Sequence, residues 1–225
     1  MQSLLFFLRS RLIFLIEKLN RRYSKVGSQP VFSESDFPWI EEIEKEYQSI
    51  HNECLYVLEN HDIPNLQDVT DDHKYLTKDN GWKTYFLWAY GVEIENNTQI
   101  CPVTKEVLKK IPHVKTAVYS VFQPQKHVPP HVGIYNGVLR YHLGLIIPKE
   151  SQKCGIKIDG EVYRWDSGKS LIFDDTYVHE AWNRSQETRV VLFVDFMRPL
   201  PLPVHYLNQL AIWLIQKSPD RKSVV

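Results

Sequence analysis

A chain of 225 residues, 43% hydrophobic and 12% aromatic, is long enough to bury one sizeable core, and its length fits a single compact domain with flanking extensions. Its 27 basic residues are balanced by 27 acidic ones. That balance, with no zinc-knuckle spacing and no basic stripe interleaved with aromatics, argues against nucleic acid as a partner. Cys54, Cys101 and Cys154 stand at long, irregular gaps, which suits reduced thiols better than a disulfide framework.

The N-terminal stretch "MQSLLFFLRSRLIFLIEKLNRR" is apolar but interrupted by Arg9 and Arg11, and its longest unbroken run falls short of the roughly 18 to 20 residues of a spanning helix. No small-residue cleavage site follows, which argues against a signal peptide. Leu4, Leu8, Leu12, Leu15, Ile16 and Leu19 recur at helical spacing, with cations at Arg9, Lys18, Arg21 and Arg22. Residues 1–27 therefore read as an amphipathic helix that lies on an anionic membrane surface or packs on the domain's own core. The expected location is the cytoplasmic face of a membrane, or the cytoplasm. Nothing in the sequence bears on the oligomeric state.

Residues 28–39, "SQPVFSESDFPW", have the composition of a linker. From there Ile40, Ile43, Tyr47, Ile50, Cys54 and Val57 mark one apolar helix face. "GWKTYFLWAYG", aromatic and bounded by glycines, predicts a buried strand. Thr104 is a candidate cap for a short helix through Lys110, ahead of Pro112. After Thr116 the pattern changes to short strands: "TAVYSVFQ", "GVLRYHLGLIIP", "GIKIDGEVYRW", "KSLIFDD" and "TRVVLFVDF". Asp159-Gly160 between alternating runs signals a hairpin, and Asn136-Gly137 signals a turn. The expected fold is mainly β with N-terminal helices, a double-stranded β-helix or jelly roll. The domain spans 40–199, with its β core at about 116–199. Residues 200–225 follow a proline-rich break and contain a second apolar helix, "YLNQLAIWLIQK".

Several residues in the β segment carry chemistry. His127 and His131 have the spacing of a helical zinc pair, but Pro129 and Pro130 forbid a regular helix there. A lone histidine is more often structural than a ligand. Here Ser120, His131, His142, Asp175, His179 and Arg189 all fall within one barrel-forming stretch. Arg189 alternates with Val191 and Phe193 on one strand face, and an arginine pointing inward from there needs an anion to meet it. A carboxylate would satisfy it bidentately.

The runs "PPHVGIYNGVLRYHLGLIIP", "W-x-x-G-x-x-L-I-F-D-D-T-Y-x-H" (Trp165 to His179) and "TRVVLFVDFMRP" resemble the aspartyl/asparaginyl β-hydroxylase family, over roughly residues 81–199. That family contains Fe(II)- and 2-oxoglutarate-dependent dioxygenases on a double-stranded β-helix, among them bacterial hydroxylases of lipid A acyl chains. The resemblance implies His131 and His179 as iron ligands and Arg189 as partner of the distal 2-oxoglutarate carboxylate. It also implies Ser120 and His142 in the cosubstrate pocket, Asp175 as holder of a water, and O2 as the oxidant. Most relatives in the wider superfamily add a carboxylate two residues after the first histidine. Gly133 stands there in this chain, as in the two-histidine branch. Val132-Gly133 departs from the basic and acidic pair of lipid-hydroxylase-like members. A halogenase also lacks the carboxylate, but its surrounding motifs differ. The implied substrate is an acyl chain of a membrane lipid, favoured by the apolar flanks, or an Asp or Asn side chain of a protein. A degenerate barrel serving as a binding module is the non-enzymatic reading.

Overall fold

In chain order the elements are α1 (Gln2–Tyr23), β1 (Val31–Phe32), α2 (Ile40–Lys45), α3 (Tyr47–Asn60), α4 (Leu66–Val69), β2 (Trp82–Ala89), β3 (Val92–Glu93), α5 (Glu95–Thr98), α6 (Pro102–Leu108), β4 (Val114–Phe122), β5 (His127–His131) and β6 (Val138–Ile146). They continue with β7 (Cys154–Ile158), β8 (Glu161–Tyr163), β9 (Ser170–Phe173), β10 (His179–Asn183), β11 (Arg189–Met197) and α7 (Val204–Gln216). The structure, a computed structural model, describes residues 2–69, 76–77 and 79–217, with side chains from Leu8 onward. The side chain of Leu4 and the tail after Lys217 lie outside the described residues.

The strands form two antiparallel sheets, one of seven strands in the order β1-β9-β6-β11-β4-β2-β3 and one of four in the order β5-β10-β7-β8. This is the expected jelly-roll architecture. β11 sits centrally between β4 and β6 and is buried on both faces, which explains its near-continuous apolar run. Its even positions, with Tyr119, Val121, Tyr141 and Leu143, form the outer face, covered by Ile50, Cys54 and Val57 of α3. Truncating a fully buried member such as Ile50 costs about 2 to 5 kcal/mol. The odd positions of β11 face the barrel interior, where Val191 packs with Phe173 and with Ile156 and Ile158 of the smaller sheet. All three cysteines are buried and unpaired.

The Asp159-Gly160 hairpin forms as expected, with both turn residues at positive φ (48° and 92°) and Ile158 paired to Glu161. "GWKTYFLWAYG" supplies β2. Asn136-Gly137 forms a turn, as expected, and it leads the chain from β5 in one sheet to β6 in the other. Residues 28–39 are not a free linker. β1 pairs with β9, and Phe32 and Phe37 enter the main core, where Phe37 meets Phe196 edge-on at 5.6 Å. Two buried aromatics outweigh the linker-like composition around them. The apolar face from Ile40 to Val57 is real but split between α2 and α3 at Glu46.

Thr104 is not the cap of its helix. α6 starts at Pro102 and its first amides are capped from outside: the Glu53 carboxylate accepts from Val103 N at 2.7 Å and Thr104 N at 2.9 Å. Thr104 itself is buried and donates to the same carboxylate at 2.7 Å. Among the described residues no helix is long and apolar enough to cross a membrane.

Candidate active site

His131 ends β5, His179 opens β10, and the register of these two antiparallel strands places them directly opposite each other. Their ring centroids are 4.1 Å apart. Each ring is held in the same way: Nδ1 of His131 donates to Pro129 O at 2.8 Å, and Nδ1 of His179 donates to Tyr177 O at 2.9 Å. A carbonyl can only accept, so Nδ1 carries the proton and the lone pair sits on Nε2. Burial, then the neighbouring His179, pulls the pKa of His131 down to about 3. Burial, then Arg140, pulls that of His179 down to about 4. Both rings are neutral at physiological pH, the state a metal requires. His127 lies apart, its Nε2 3.0 Å from Glu180 on the surface.

Gly133 is there for lack of space. Its N–H donates to Asp175 O at 2.7 Å, and a Cβ at this position would fall 2.2 Å from Asp175 Oδ1. The Asp175 carboxylate lies 3.0 Å from Nη2 of Arg140, and burial pushes its pKa up. Asp175 does not join the histidines as a ligand: among the described residues, no three of His, Cys, Asp and Glu gather closely enough to hold a metal. Among those residues the two histidines therefore stand as a pair, without a carboxylate beside them.

Deeper in the barrel, Arg189 opens β11 opposite Phe122, and it is 2% exposed. Its guanidinium carbon lies 3.8 Å from the ring centre of Phe122 and 4.5 Å from that of Trp165. Its Nε and Nη1 have no hydrogen-bond partner. Burial depresses its pKa to about 9, which still leaves a cation at neutral pH. Stacking on two rings offsets part of the desolvation, but a guanidinium edge without an acceptor is costly unless an anion fills the space.

His142, on β6 opposite Phe193, is enclosed by Trp165, Phe173 and Phe193 at centroid distances of 5.8, 5.2 and 5.2 Å. Both ring nitrogens lack partners, and burial holds its pKa well below the ordinary value. Ser120 is buried on the same inner face, and its Oγ accepts from Trp82 Nε1 at 3.1 Å. The structure thus gathers Ser120, His142 and Arg189 around one apolar chamber behind the histidine pair.

Arg140 was not singled out by the sequence reading. It chelates Asp195 through Nε at 2.8 Å and Nη2 at 3.1 Å, bridges to Asp175, and lies 4.3 Å above the Phe193 ring. The signal was available, since strand alternation puts Arg140 on the same face as His142. Trp165, the floor under both Arg189 and His142, sits outside any strand and gave no such signal. A narrow cleft, walled by Leu66, Leu76, Phe86, Ile134, Val138 and Phe193, opens onto His131 and Asp175.

Known proteins resemble this chain over most of its length. The chain is 49% identical over 193 residues to the ornithine lipid ester-linked acyl 2-hydroxylase of Rhizobium tropici, covering 85% of this chain and 69% of that one. It is 34% identical over 165 residues to the human aspartyl/asparaginyl beta-hydroxylase, covering 71% of this chain but 21% of that protein's length. Among solved structures, a Pseudomonas putida prolyl-4-hydroxylase aligns over 72% of this chain and all of its own, with a TM-score of 0.47 and 10% identity. The family model described as aspartyl/asparaginyl beta-hydroxylase matches residues 44–199, from α2 to the end of β11 and with every residue of the histidine pair and its chamber inside it. The chain belongs to the aspartyl/asparaginyl beta-hydroxylase family.

Proposed function

We propose that the protein is an Fe(II)- and 2-oxoglutarate-dependent hydroxylase acting on an unactivated C–H of a membrane-lipid acyl chain. The observation that carries this reading is the neutral histidine pair, 4.1 Å ring to ring, in front of a buried Arg189 that has no anion. These residues fit the implied groups by their own chemistry. Two neutral imidazoles suit Fe(II), and a planar guanidinium edge with unpaired donors matches a carboxylate. With 2-oxoglutarate and O2, the bound iron supplies the oxidising power for hydroxylation, with succinate and carbon dioxide as co-products.

The chain's part is to hold, orient and exclude. His131 and His179 bind through Nε2, kept in the right tautomer by the carbonyls of Pro129 and Tyr177. Arg189 takes the distal carboxylate of the cosubstrate. Ser120, whose oxygen already accepts from Trp82, turns its own O–H toward that anion. His142 offers a ring N–H that nothing in the protein accepts. Asp175, fixed by Arg140, orients a water on the side where Gly133 supplies no ligand. The apolar chamber of Trp165, Phe173 and Val191 keeps bulk water away from the reacting centre.

For the substrate, the cleft onto His131 has mostly apolar walls, and the charge of Arg140 is already met by Asp175 and Asp195. That lining suits hydrocarbon better than an acidic side chain. The Rhizobium tropici relative, named for acyl hydroxylation of ornithine lipid, supports the same choice. Incubating the protein, Fe(II) and 2-oxoglutarate with a bacterial lipid extract and, separately, with Asp- and Asn-containing peptides tests the reading by mass spectrometry. A gain of one oxygen on a lipid acyl chain supports it. A gain confined to the peptides replaces the lipid with a protein side chain, and succinate from neither leaves a binding barrel.

A further inference from the structure

The helices at the two ends of the chain each present an apolar stripe that the fold does not use. α1 packs on α7 through Ile16, beside Ala211 and Ile212. A buried amide network fastens the pair to the domain. Asn20 Nδ2 donates to Tyr135 Oη at 3.1 Å, Tyr135 donates to Asn208 Oδ1 at 2.6 Å, and Asn208 Nδ2 donates to Gly137 O at 2.8 Å. Tyr135 and Val138, which these helices cover, also line the cleft that reaches His131. The helix pair is therefore the backing of a cleft wall rather than a detached arm.

Away from this contact, Leu8, Leu12 and Leu15 on α1 and Tyr206, Leu210 and Trp213 on α7 follow the same i, i+4, i+7 spacing, and all six are exposed, Leu15 by 56% and Trp213 by 53%. At 100° per residue, Arg11, Lys18 and Arg22 fall next to the leucine stripe around α1. The helix carries five cations (Arg9, Arg11, Lys18, Arg21 and Arg22) against one carboxylate, Glu17, in a chain of zero formal charge.

We propose that α1 and α7 form a docking face for the surface of an anionic bilayer. Apolar side chains flanked by cations suit the boundary between acyl chains and anionic headgroups. No described helix is long and apolar enough to cross, so the contact is interfacial. A second copy of this chain fits less well, because a two-fold contact would set the same cation-rich patch of both copies against itself, like charge facing like. The docking deepens the lipid-hydroxylase reading, on which it rests for its purpose, and it places the cleft-backing helices at the surface where a lipid substrate resides.

The full chain is sedimented with vesicles of phosphatidylcholine alone and of phosphatidylcholine with phosphatidylglycerol. Lipid turnover is followed in vesicles and in detergent micelles. The variants are Leu12→Gln/Leu15→Gln, Leu210→Gln/Trp213→Gln and Lys18→Gln/Arg22→Gln, all at exposed positions that leave the core intact, with Tyr56→Gln as an exposed aromatic control on α3. The expected result is salt-sensitive partition onto anionic vesicles, weakened at least about tenfold in each double variant and unchanged in the control. Turnover in micelles should be retained. Failure of the wild type to sediment, or unchanged partition in the double variants, overturns the docking face. If micellar lipid is oxidised by a protein that ignores vesicles, docking falls and the lipid reading stands. If vesicle binding follows the expected pattern while no lipid gains oxygen in either form, docking stands and the lipid substrate falls.

Discussion

Gly133 and Asp175 compete for one space: a Cβ on the glycine would lie 2.2 Å from the aspartate's Oδ1. The carboxylate that a facial triad would draw from position 133 is thus excluded by another carboxylate, itself held by Arg140. Gly133→Asp, which would restore the common triad on paper, should therefore not improve turnover. It must displace Asp175 and break its pairing with Arg140, a strain of roughly 1 to 3 kcal/mol. Thermal unfolding and succinate release check this. Faster turnover than wild type would show that position 133 has room for a ligand.

His131→Ala and His179→Ala should each abolish Fe(II) binding while leaving the fold in place. Two protein ligands are already few, and one is too few for tight binding. Both rings are held only by backbone carbonyls, so their removal leaves no buried charge behind. Metal stoichiometry after anaerobic loading, with circular dichroism as the fold control, provides the readout. Retained iron in both variants would remove the histidine pair from the metal centre.

Acid should destabilise the metal-free protein in a way that His142 explains in part. Its folded pKa lies well below the ordinary histidine value of about 6.5, because burial excludes the charged form. Below that unfolded value the unfolded chain binds a proton that the folded chain does not, so stability is lost as pH falls through 6.5 and continues to fall toward the folded pKa. Each such group contributes a slope of about 1.4 kcal/mol per pH unit. His142→Phe, which fits the surrounding aromatic cage, should reduce the slope of urea-unfolding free energy between pH 6 and 5 by about that amount. An unchanged slope would mean that His142 is not buried in its neutral form.

The strands were legible because alternation and β-branching are local, and so was the inward aim of Arg189, which needs only its own strand's phase. Arg140 sits two residues before His142 on the same strand and was equally open to that logic. What the sequence could not supply were long-range packings. Phe32 and Phe37 turn a linker-like composition into core, and Glu53 reaches across from α3 to cap α6. Asn20 looks like one polar residue on an amphipathic helix, yet it is fully buried against Tyr135 and Asn208, which the sequence places far away. The sequence left α1 between membrane and core. One face is now seen packed, and the other is the one with leucines exposed.

The central claim is that Arg189 awaits the distal carboxylate of 2-oxoglutarate, and titrating the cosubstrate into anaerobic, iron-loaded protein while following the metal-to-ligand absorption band tests it most directly. Arg189→Ala should weaken the cosubstrate roughly ten- to a thousandfold, because a charge-assisted bidentate contact is lost and an anion is left unpaired in an apolar chamber. Iron affinity should stay close to that of the wild type. Arg189→Lys should recover part of the loss, since it keeps the charge but not the planar fork. A midpoint in Arg189→Ala equal to that of the wild type would contradict the assignment and leave the buried guanidinium without its anion.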